Sequence, residues 1–400
     1  MSILDGILVV EMCEVWQGPL AGQTLADYGA RVIKVERPPS GDLMRSNDFI
    51  ASRQGRTSCY FAATNSNKES ICLDIKSEDG RAALNALIRS ADVLISNYRP
   101  GAMDRLGYSY DAVSTLNPRL IYAVASGYGE TGPLARMAGQ DLLAQAVSGI
   151  ATKHTASGAG PVLLNTPVAD FASGMIMVQG ILLALLERQK SGLGQKVSIS
   201  LFDSAVAMQA LEIASILNHD SETNWFESGP NFLAQTSDGW LVVLGFYREN
   251  PLQLMCRALE LDDLSARPEF GTLEQQIARR EEIADLLRPA VLKLSSSEAT
   301  ARFQAAGILA APIATLRDLL NSPQLANNQL LRSVPIEGEP DMTVVCHPLR
   351  LSRTPQQLRM GPPKLGQHTQ QILAGLGSYV SANPERGPGR TSSKTSSPPR

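Results

Sequence analysis

The chain has few of the residues that mark a disulfide scaffold or a metal site. Its 400 residues include five cysteines and four histidines, and no two cysteines have CxxC spacing. A small, odd and scattered set of cysteines argues against a secreted disulfide framework and a structural zinc site. The histidines are isolated, and His154 lies in a Gly/Ala/Ser-rich stretch that we interpret as an exposed loop. We therefore predict no metal and a reducing compartment, with the cytoplasm as the default.

Long apolar runs and an excess of basic residues are also missing. No run of roughly 18 consecutive apolar residues occurs, and Met1 leads directly into a strand-like segment, so we expect neither a membrane span nor a secretory leader. The formal net charge of -3 argues against a nucleic-acid partner. With 44% hydrophobic and 19% charged residues, the chain has the composition and length for a large globular domain and a smaller one.

The glycine fingerprint of dinucleotide-binding enzymes, GxGxxG, is missing as well. The first predicted strand is followed by Gln17-Gly18-Pro19, and the next glycine is Gly22. Glu36 ends the second predicted strand, where such enzymes hold a ribose with an acid, but this signal is weak without the glycines. An NAD-dependent oxidoreductase is therefore the least favoured function that we considered.

Short β-rich runs alternate with helical stretches over the first two hundred residues. Strands are predicted at 7–12, 31–36, 93–96 and 120–125, and helices at 19–28, 78–89 and 170–190. This alternation predicts an α/β protein with a doubly wound sheet, whose binding crevice lies at the carboxyl ends of the strands.

The character of the chain changes in its second half. We predict that residues 1–219 and 316–382 form a large domain and that residues 220–315 form a small one with its own strand at 240–244 and a helix over 273–294. Residues 383–400 are rich in Gly, Pro, Ser and Arg, and we interpret them as a disordered tail.

Asp170 stands at the head of the most strongly helical stretch. An aspartate at a helix start is most often a cap, and that role alone explains it adequately. A carboxylate there should also stay ionised and face amide groups that could hold an oxyanion. Small neighbours, Ala172, Ser173 and Gly174, leave room for a bulky thioester. The residues alone leave both interpretations open.

Polar and cationic residues follow the predicted strands, where a ligand would bind. Gln17 could donate its amide to a carbonyl oxygen or merely cap the first helix. Arg37, Lys68 and Arg99 lie in loops near strand ends, and Arg105 follows them. Converging cations at this edge could hold the phosphates of a nucleotide, although each alone is more often a solvated surface charge.

Several short segments, each weak alone, occur in a specific order: Leu25–Glu36, Asn67–Ile71, Asn97–Gly101, Gly127–Gly129, Asp170–Gly174, Gly192–Gln195 and Leu365–Thr369. From Leu4 to about Gly377 the chain thereby closely resembles the class III CoA-transferases. That family includes formyl-CoA transferase, carnitine CoA-transferase and the α-methylacyl-CoA racemases.

The resemblance implies two interlocked monomers, each with a Rossmann-like large domain and a small α/β domain. It implies that Asp170 is the covalent nucleophile, with Gln17 beside it. Its substrates would be an acyl-CoA donor and a small carboxylic or dicarboxylic acid, with no permanently bound cofactor and no nucleic-acid or membrane partner. Residues expected to bind coenzyme A are Arg37, Lys68, Asn97, Tyr98, Arg99, Arg105 and Tyr128.

Two departures from the family pattern bear on function. Gln140 occupies the place of the racemase histidine, and an amide cannot act as a general base near neutral pH. Ser228-Gly229-Pro230-Asn231 has a single glycine where formyl-CoA transferases carry a glycine-rich lid. We therefore rank a CoA-transferase first, an acyl-CoA racemase or isomerase second, and a non-catalytic CoA-binding protein third.

Overall fold

The computed structural model describes residues 2–153 and 160–381, which form two compact units. The predicted tail at 383–400 and the predicted loop residue His154 lie outside the described residues. Within the described ranges, the first unit comprises the chain up to Ile150, Leu163–Met208 and the chain from Gln329 onward. The second comprises Ala151–Val162 and Gln209–Asn328. The two units divide the chain at 208/209 and 328/329, whereas the predicted boundaries are 219/220 and 315/316.

A parallel sheet forms the centre of the first unit. Its strands are β1 (Leu8–Met12), β2 (Arg31–Glu36), β3 (Lys68–Cys72), β4 (Val93–Ser96), β5 (Ile121–Ser126) and β6 (Lys196–Ser200). Over the described ranges their order is β3-β2-β1-β4-β5-β6, and neighbouring strands run parallel. The winding direction changes between β1 and β4, so the loops after these strands separate and leave a crevice. The predicted α/β class is confirmed.

Helices alternate with these strands and continue through the second unit. In chain order they are α1 (Gln17–Asp27), α2 (Phe49–Arg53), α3 (Cys59–Asn65), α4 (Glu78–Ser90), α5 (Ala102–Leu106), α6 (Tyr110–Leu116), α7 (Asp141–Ser148), α8 (Val168–Ser191), α9 (Leu201–Ala207), α10 (Ala210–His219), α11 (Pro251–Ala258), α12 (Leu273–Ala278), α13 (Arg280–Val291), α14 (Ser296–Ala305), α15 (Leu316–Leu320), α16 (Pro323–Asn327) and α17 (Thr369–Ser381). The predicted helix over 273–294 is therefore two helices, which meet at Arg279.

The two faces of the parallel sheet bury different helices because side chains alternate along each strand. Val9, Val32 and Ile95 pack in one core cluster with residues of α1 and α8. Val10 and Ile33 pack in the other, with residues of α4 and α17. This layering holds the start of α1 and the start of α8 on the same side of the sheet.

Helix α8 is long and apolar enough, by length and composition alone, to cross a membrane, with a mean hydropathy of 1.8 over its most apolar stretch. That stretch is 44% buried inside the protein, and the helix packs against α1, α9, β5 and β6. The central helices of soluble proteins have the same composition, so α8 alone does not indicate a membrane protein.

The second unit is built on a small antiparallel sheet. Its strands β7 (Phe232–Gln235), β8 (Trp240–Leu244) and β9 (Leu309–Pro312) have the order β7-β8-β9. Phe232, Phe270 and Phe303 are fully buried in its core. The last two strands, β10 (Leu331–Ile336) and β11 (Glu339–Val345), form an antiparallel pair in the first unit.

Candidate active site

A cavity of about 980 Å³ lies at the carboxyl ends of the parallel strands of the first unit. The segments that follow β1 through β6 all contribute to its wall, as do the starts of α7 and α8. Asp170 and Gln17 line it, together with five of the residues predicted to bind coenzyme A: Arg37, Asn97, Tyr98, Arg99 and Arg105. Lining residues that were not predicted from the sequence include Trp16, Lys76, Met137 and Asp141.

Asp170 is the third residue of α8 and not its cap. The N-cap is Pro167, which has no N–H, so the Asp170 carboxylate cannot form the reciprocal bond of a capping box. Among the described residues, no group donates a hydrogen bond to this carboxylate. The capping role that residue type alone suggested therefore does not explain Asp170.

The surroundings of Asp170 favour its protonated form. Burial, and then the nearby Asp141 carboxylate, raise the pKa of Asp170 from 3.8 to about 7. The expectation that the helix N-terminus keeps this group ionised is thus corrected, because loss of solvent outweighs the attraction of the helix dipole. A carboxylate with a raised pKa is a stronger base once it is ionised.

Asp141 connects the start of α7 to the start of α8. One of its carboxylate oxygens accepts the backbone N–H of Asp170 at 2.9 Å, and the other accepts the side-chain amide of Gln145 at 2.6 Å. Asp141 is 8% exposed. It therefore orients the backbone of Asp170 and places a second negative charge nearby.

Gln17 is held at the cavity wall by contacts with α8. Its buried side-chain amide donates to the Ser173 hydroxyl at 2.9 Å, and that hydroxyl donates to the Asp170 carbonyl oxygen at 3.1 Å. Gly174 permits this approach, since a Cβ there would lie 3.0 Å from the Gln17 carbonyl oxygen. The contacts fix the starts of α1 and α8 to each other.

The predicted CoA-binding residues at the cavity have different local roles. Arg99 and Arg105 are exposed, and the Arg37 guanidinium lies 3.6 Å from Glu14. Asn97 holds the Glu14 backbone, accepting its N–H at 3.0 Å and donating to its carbonyl oxygen at 2.7 Å. The cavity therefore combines exposed cations with a polar wall whose backbone is held by hydrogen bonds.

Two predicted CoA-binding residues do not reach the cavity. Lys68 is the first residue of β3 and is fully buried, and its ammonium donates to Glu11 at 2.7 Å, to Pro19 at 2.8 Å and to Asn65 at 3.0 Å. Tyr128 is 8% exposed and is absent from the cavity lining. The loop interpretation of Lys68 is corrected, because this lysine neutralises a buried acid.

The segment that carries Gln140 and Asp141 crosses close to the end of β5. A Cβ at Gly127 would lie 2.4 Å from the Gly139 Cα, so the two backbones touch at this point. Gln140 is exposed, precedes α7 and lines the cavity, whose described lining contains no histidine. No group of three or more His, Cys, Asp or Glu side chains is placed to hold a metal ion within the described ranges.

Comparison with known proteins identifies the family to which this chain belongs. The family model for CoA-transferase family III matches residues 4–369, so the chain belongs to that family. It is an enzyme of the transferase class, and CoA thioesters are its substrates.

Individual relatives cover nearly the whole chain. An acyl-CoA transferase of Fusarium pseudograminearum (strain CS3096) is 34% identical over 95% of this chain and 86% of its own length. The succinate–glutarate CoA-transferase of Agrobacterium fabrum is 31% identical over 93% of this chain and 95% of its own. The crystal structure of a CaiB/BaiF family protein from Brucella suis superposes with a TM-score of 0.84 at 30% identity, covering 94% of this chain and 99% of that one.

Proposed function

We propose that this enzyme moves coenzyme A from an acyl-CoA donor to a small carboxylic or dicarboxylic acid through a thioester on Asp170. The observation that carries the proposal is the state of the Asp170 carboxylate. It lines the cavity, the fold gives it no hydrogen-bond donor among the described residues, and burial raises its pKa to about 7. A half-buried acid with a raised pKa that is not needed for capping is a candidate nucleophile.

The proposed reaction begins when an oxygen of ionised Asp170 attacks the thioester carbonyl of the donor. The C–S bond breaks, which leaves an acyl–aspartyl anhydride and CoA thiolate. The thiolate then attacks the aspartyl carbonyl, releases the donor acid as a carboxylate and leaves an aspartyl–CoA thioester. The acceptor carboxylate repeats these two steps in reverse, so that acyl-CoA leaves and Asp170 is again a free carboxylate. The thioester energy is retained because water is not a reactant.

In this proposal, different residues of the cavity wall act on different parts of the substrate. Gln17, fixed by Ser173 beside the backbone of Asp170, faces the reacting carbonyl group. Arg37, Arg99 and Arg105 provide positive charge for the CoA phosphates. Burial and Glu14 raise the pKa of Tyr98 to about 12, so its phenol stays protonated and can donate a hydrogen bond.

The acceptor is proposed to be a small dicarboxylate. The succinate–glutarate CoA-transferase and an acetyl-CoA:oxalate CoA-transferase of Acetobacter aceti, which is 33% identical over 84% of this chain, carry such acids in their names. The racemase alternative has less support, because the described cavity lining offers Gln140 and no histidine as a partner for Asp170.

We further propose a homodimer of the interlocked type, with a Rossmann-like first unit. An exposed apolar stripe on α8 supports an interface, since large apolar patches on soluble proteins usually bind a partner. It consists of Phe171, Leu182, Leu183 and Leu186, of which Leu183 is 68% exposed. The absence of a permanent cofactor and a location in the cytoplasm remain part of the proposal.

The test is a transfer assay that follows donor and product acyl-CoA by chromatography. Succinyl-CoA and acetyl-CoA are each combined with glutarate, oxalate or no acid, and D170N is compared with D111N, an exposed first-turn aspartate of α6. We expect transfer that D111N retains and D170N loses by at least about a thousandfold. Transfer by D170N at the unaltered rate would contradict the proposal. Deuterium uptake at the α-carbon with no CoA transfer would support the racemase instead.

A further inference from the structure

The backbone between β1 and α1 is strained where it enters the cavity. Val15 has a φ of 73°, in the left-handed region that a β-branched side chain strongly disfavours. Val15 lines the cavity, and only Trp16 separates it from Gln17. The surrounding structure must therefore hold this residue in place.

Side chains from other elements hold three consecutive residues here. The Lys34 ammonium donates to the Cys13 carbonyl oxygen at 2.8 Å, and Asn97 bonds both backbone groups of Glu14. Asp42 accepts the Val15 N–H at 3.0 Å, through the same oxygen that accepts the Met44 N–H at 2.9 Å. The strained residue is thus bonded to a carboxylate from the loop after β2.

Asp42 belongs to a buried cluster of four charges. Its second oxygen lies 2.8 Å from the Lys34 ammonium, which lies 2.9 Å from Glu11, and Glu11 lies 2.7 Å from Lys68. All four side chains are essentially inaccessible to solvent. Two acids and two bases balance one another, so Asp42 has little freedom to turn away from Val15.

We infer that Asp42 is a positioning residue for the transfer reaction, which holds Val15 in its strained conformation and thereby places Gln17 and the cavity wall opposite Asp170. Asp42 itself is not in the cavity lining. This inference rests on the proposed function, because the reaction that it affects is the one proposed at Asp170. Small displacements of groups around a reacting atom lower rates strongly, by roughly 100-fold for 1 Å.

The test combines two substitutions in a double-mutant cycle. D42N has nearly the same size but only one acceptor oxygen, an amide oxygen without charge, so it cannot keep the contacts with both Val15 and Lys34. V15G permits a φ of 73° without strain, so the loop no longer depends on Asp42. We expect D42N to lower kcat by roughly 10- to 100-fold at saturating acyl-CoA, with a smaller change in KM. In the V15G background the same change should lower kcat by less than about threefold.

The control is D92N. Asp92 is also buried, accepts a backbone N–H from Leu8 at 2.8 Å and pairs with Arg188 at 3.1 Å, but it does not line the cavity. D92N should change kcat by the same factor, within about twofold, in the wild-type and V15G backgrounds. Equal losses from D42N in both backgrounds, or no loss, would overturn the inference.

Each variant and the wild type are also tested by mass spectrometry for the acyl or CoA adduct at Asp170. If the wild-type enzyme forms no adduct, the proposed function is wrong. If it forms the adduct but D42N lowers kcat equally in both backgrounds, only the proposed role of Asp42 is wrong.

Discussion

The raised pKa of Asp170 predicts that a conservative substitution will stabilise the protein at alkaline pH. Unfolded, this carboxyl should titrate near 3.8, whereas burial and Asp141 raise its pKa in the folded chain to about 7. Between these values the folded state binds more protons than the unfolded state. The contribution of this group to stability is therefore fully present below pH 3.8 and is lost as pH rises through 7.

The size of the effect follows from the same two pKa values. Each pH unit between them corresponds to about 1.4 kcal/mol, so the ionised group destabilises the fold by roughly 4 kcal/mol above pH 7. Asparagine has the shape of the protonated acid and no charge. We expect D170N to be more stable than the wild type by up to about 4 kcal/mol at pH 8.5.

The assay is urea denaturation of both proteins between pH 5.5 and 8.5, with comparison only where the m-values agree. The stability difference should grow with pH up to about pH 8. D79N is the control, because Asp79 is an exposed acid in the first turn of α4. D79N should be less stable than the wild type by up to about 1 kcal/mol, and this difference should change little with pH. A D170N that is less stable than the wild type at pH 8.5, or a difference that does not change with pH, would show that folding does not raise the pKa of Asp170.

Three further predictions concern activity and stability. Because the nucleophile must be ionised, kcat/KM for acyl-CoA should rise about tenfold per pH unit below pH 7 and level off above it; a flat profile from pH 5.5 to 8.5 would exclude Asp170 as the titrating group. G174A should lower kcat by roughly 3- to 10-fold, because its Cβ would lie 3.0 Å from the Gln17 carbonyl oxygen and displace it slightly; unchanged kinetics would contradict this expectation. K68M should lower the free energy of unfolding, measured with urea, by about 3–5 kcal/mol, because it leaves Glu11 with fewer buried partners. KM for acyl-CoA should stay within about twofold, and a large rise in KM in folded K68M would show that Lys68 does contribute to CoA binding.

Local patterns were sufficient to predict most of the parallel sheet. β2 and β4 lie at their predicted positions, and α4 begins at Glu78 as predicted, where Ser77 accepts the Gly80 N–H at 3.0 Å. Such features depend on neighbouring residues: strand periodicity, a cap and the acids of a first turn. The predicted helix over 273–294 is interrupted at Arg279, where the sequence has no strong breaker, and it ends at Val291.

Features that depend on distant residues could not be predicted from local patterns. Lys68 looks like a surface cation, but it meets Glu11, which is 57 positions away along the chain. Asp141 contacts the backbone of Asp170 across 29 positions. The raised pKa of Asp170 arises from burial that only the folded chain defines, whereas its N-terminal position in α8 predicts the opposite shift. The motif order identified the family, and the structure identified which motif residues line the cavity.

In the proposed reaction Asp170 becomes covalently linked to the acyl group and then to CoA, and peptide mapping by mass spectrometry detects this linkage. The enzyme is incubated briefly with succinyl-CoA, quenched in acid, digested and mapped, with and without hydroxylamine, which cleaves acyl anhydrides and thioesters. We predict an added mass of CoA or of the succinyl group on the peptide that contains Asp170, sensitive to hydroxylamine and absent from D170N. An adduct on any other residue, or an adduct that D170N retains, would show that Asp170 is not the nucleophile.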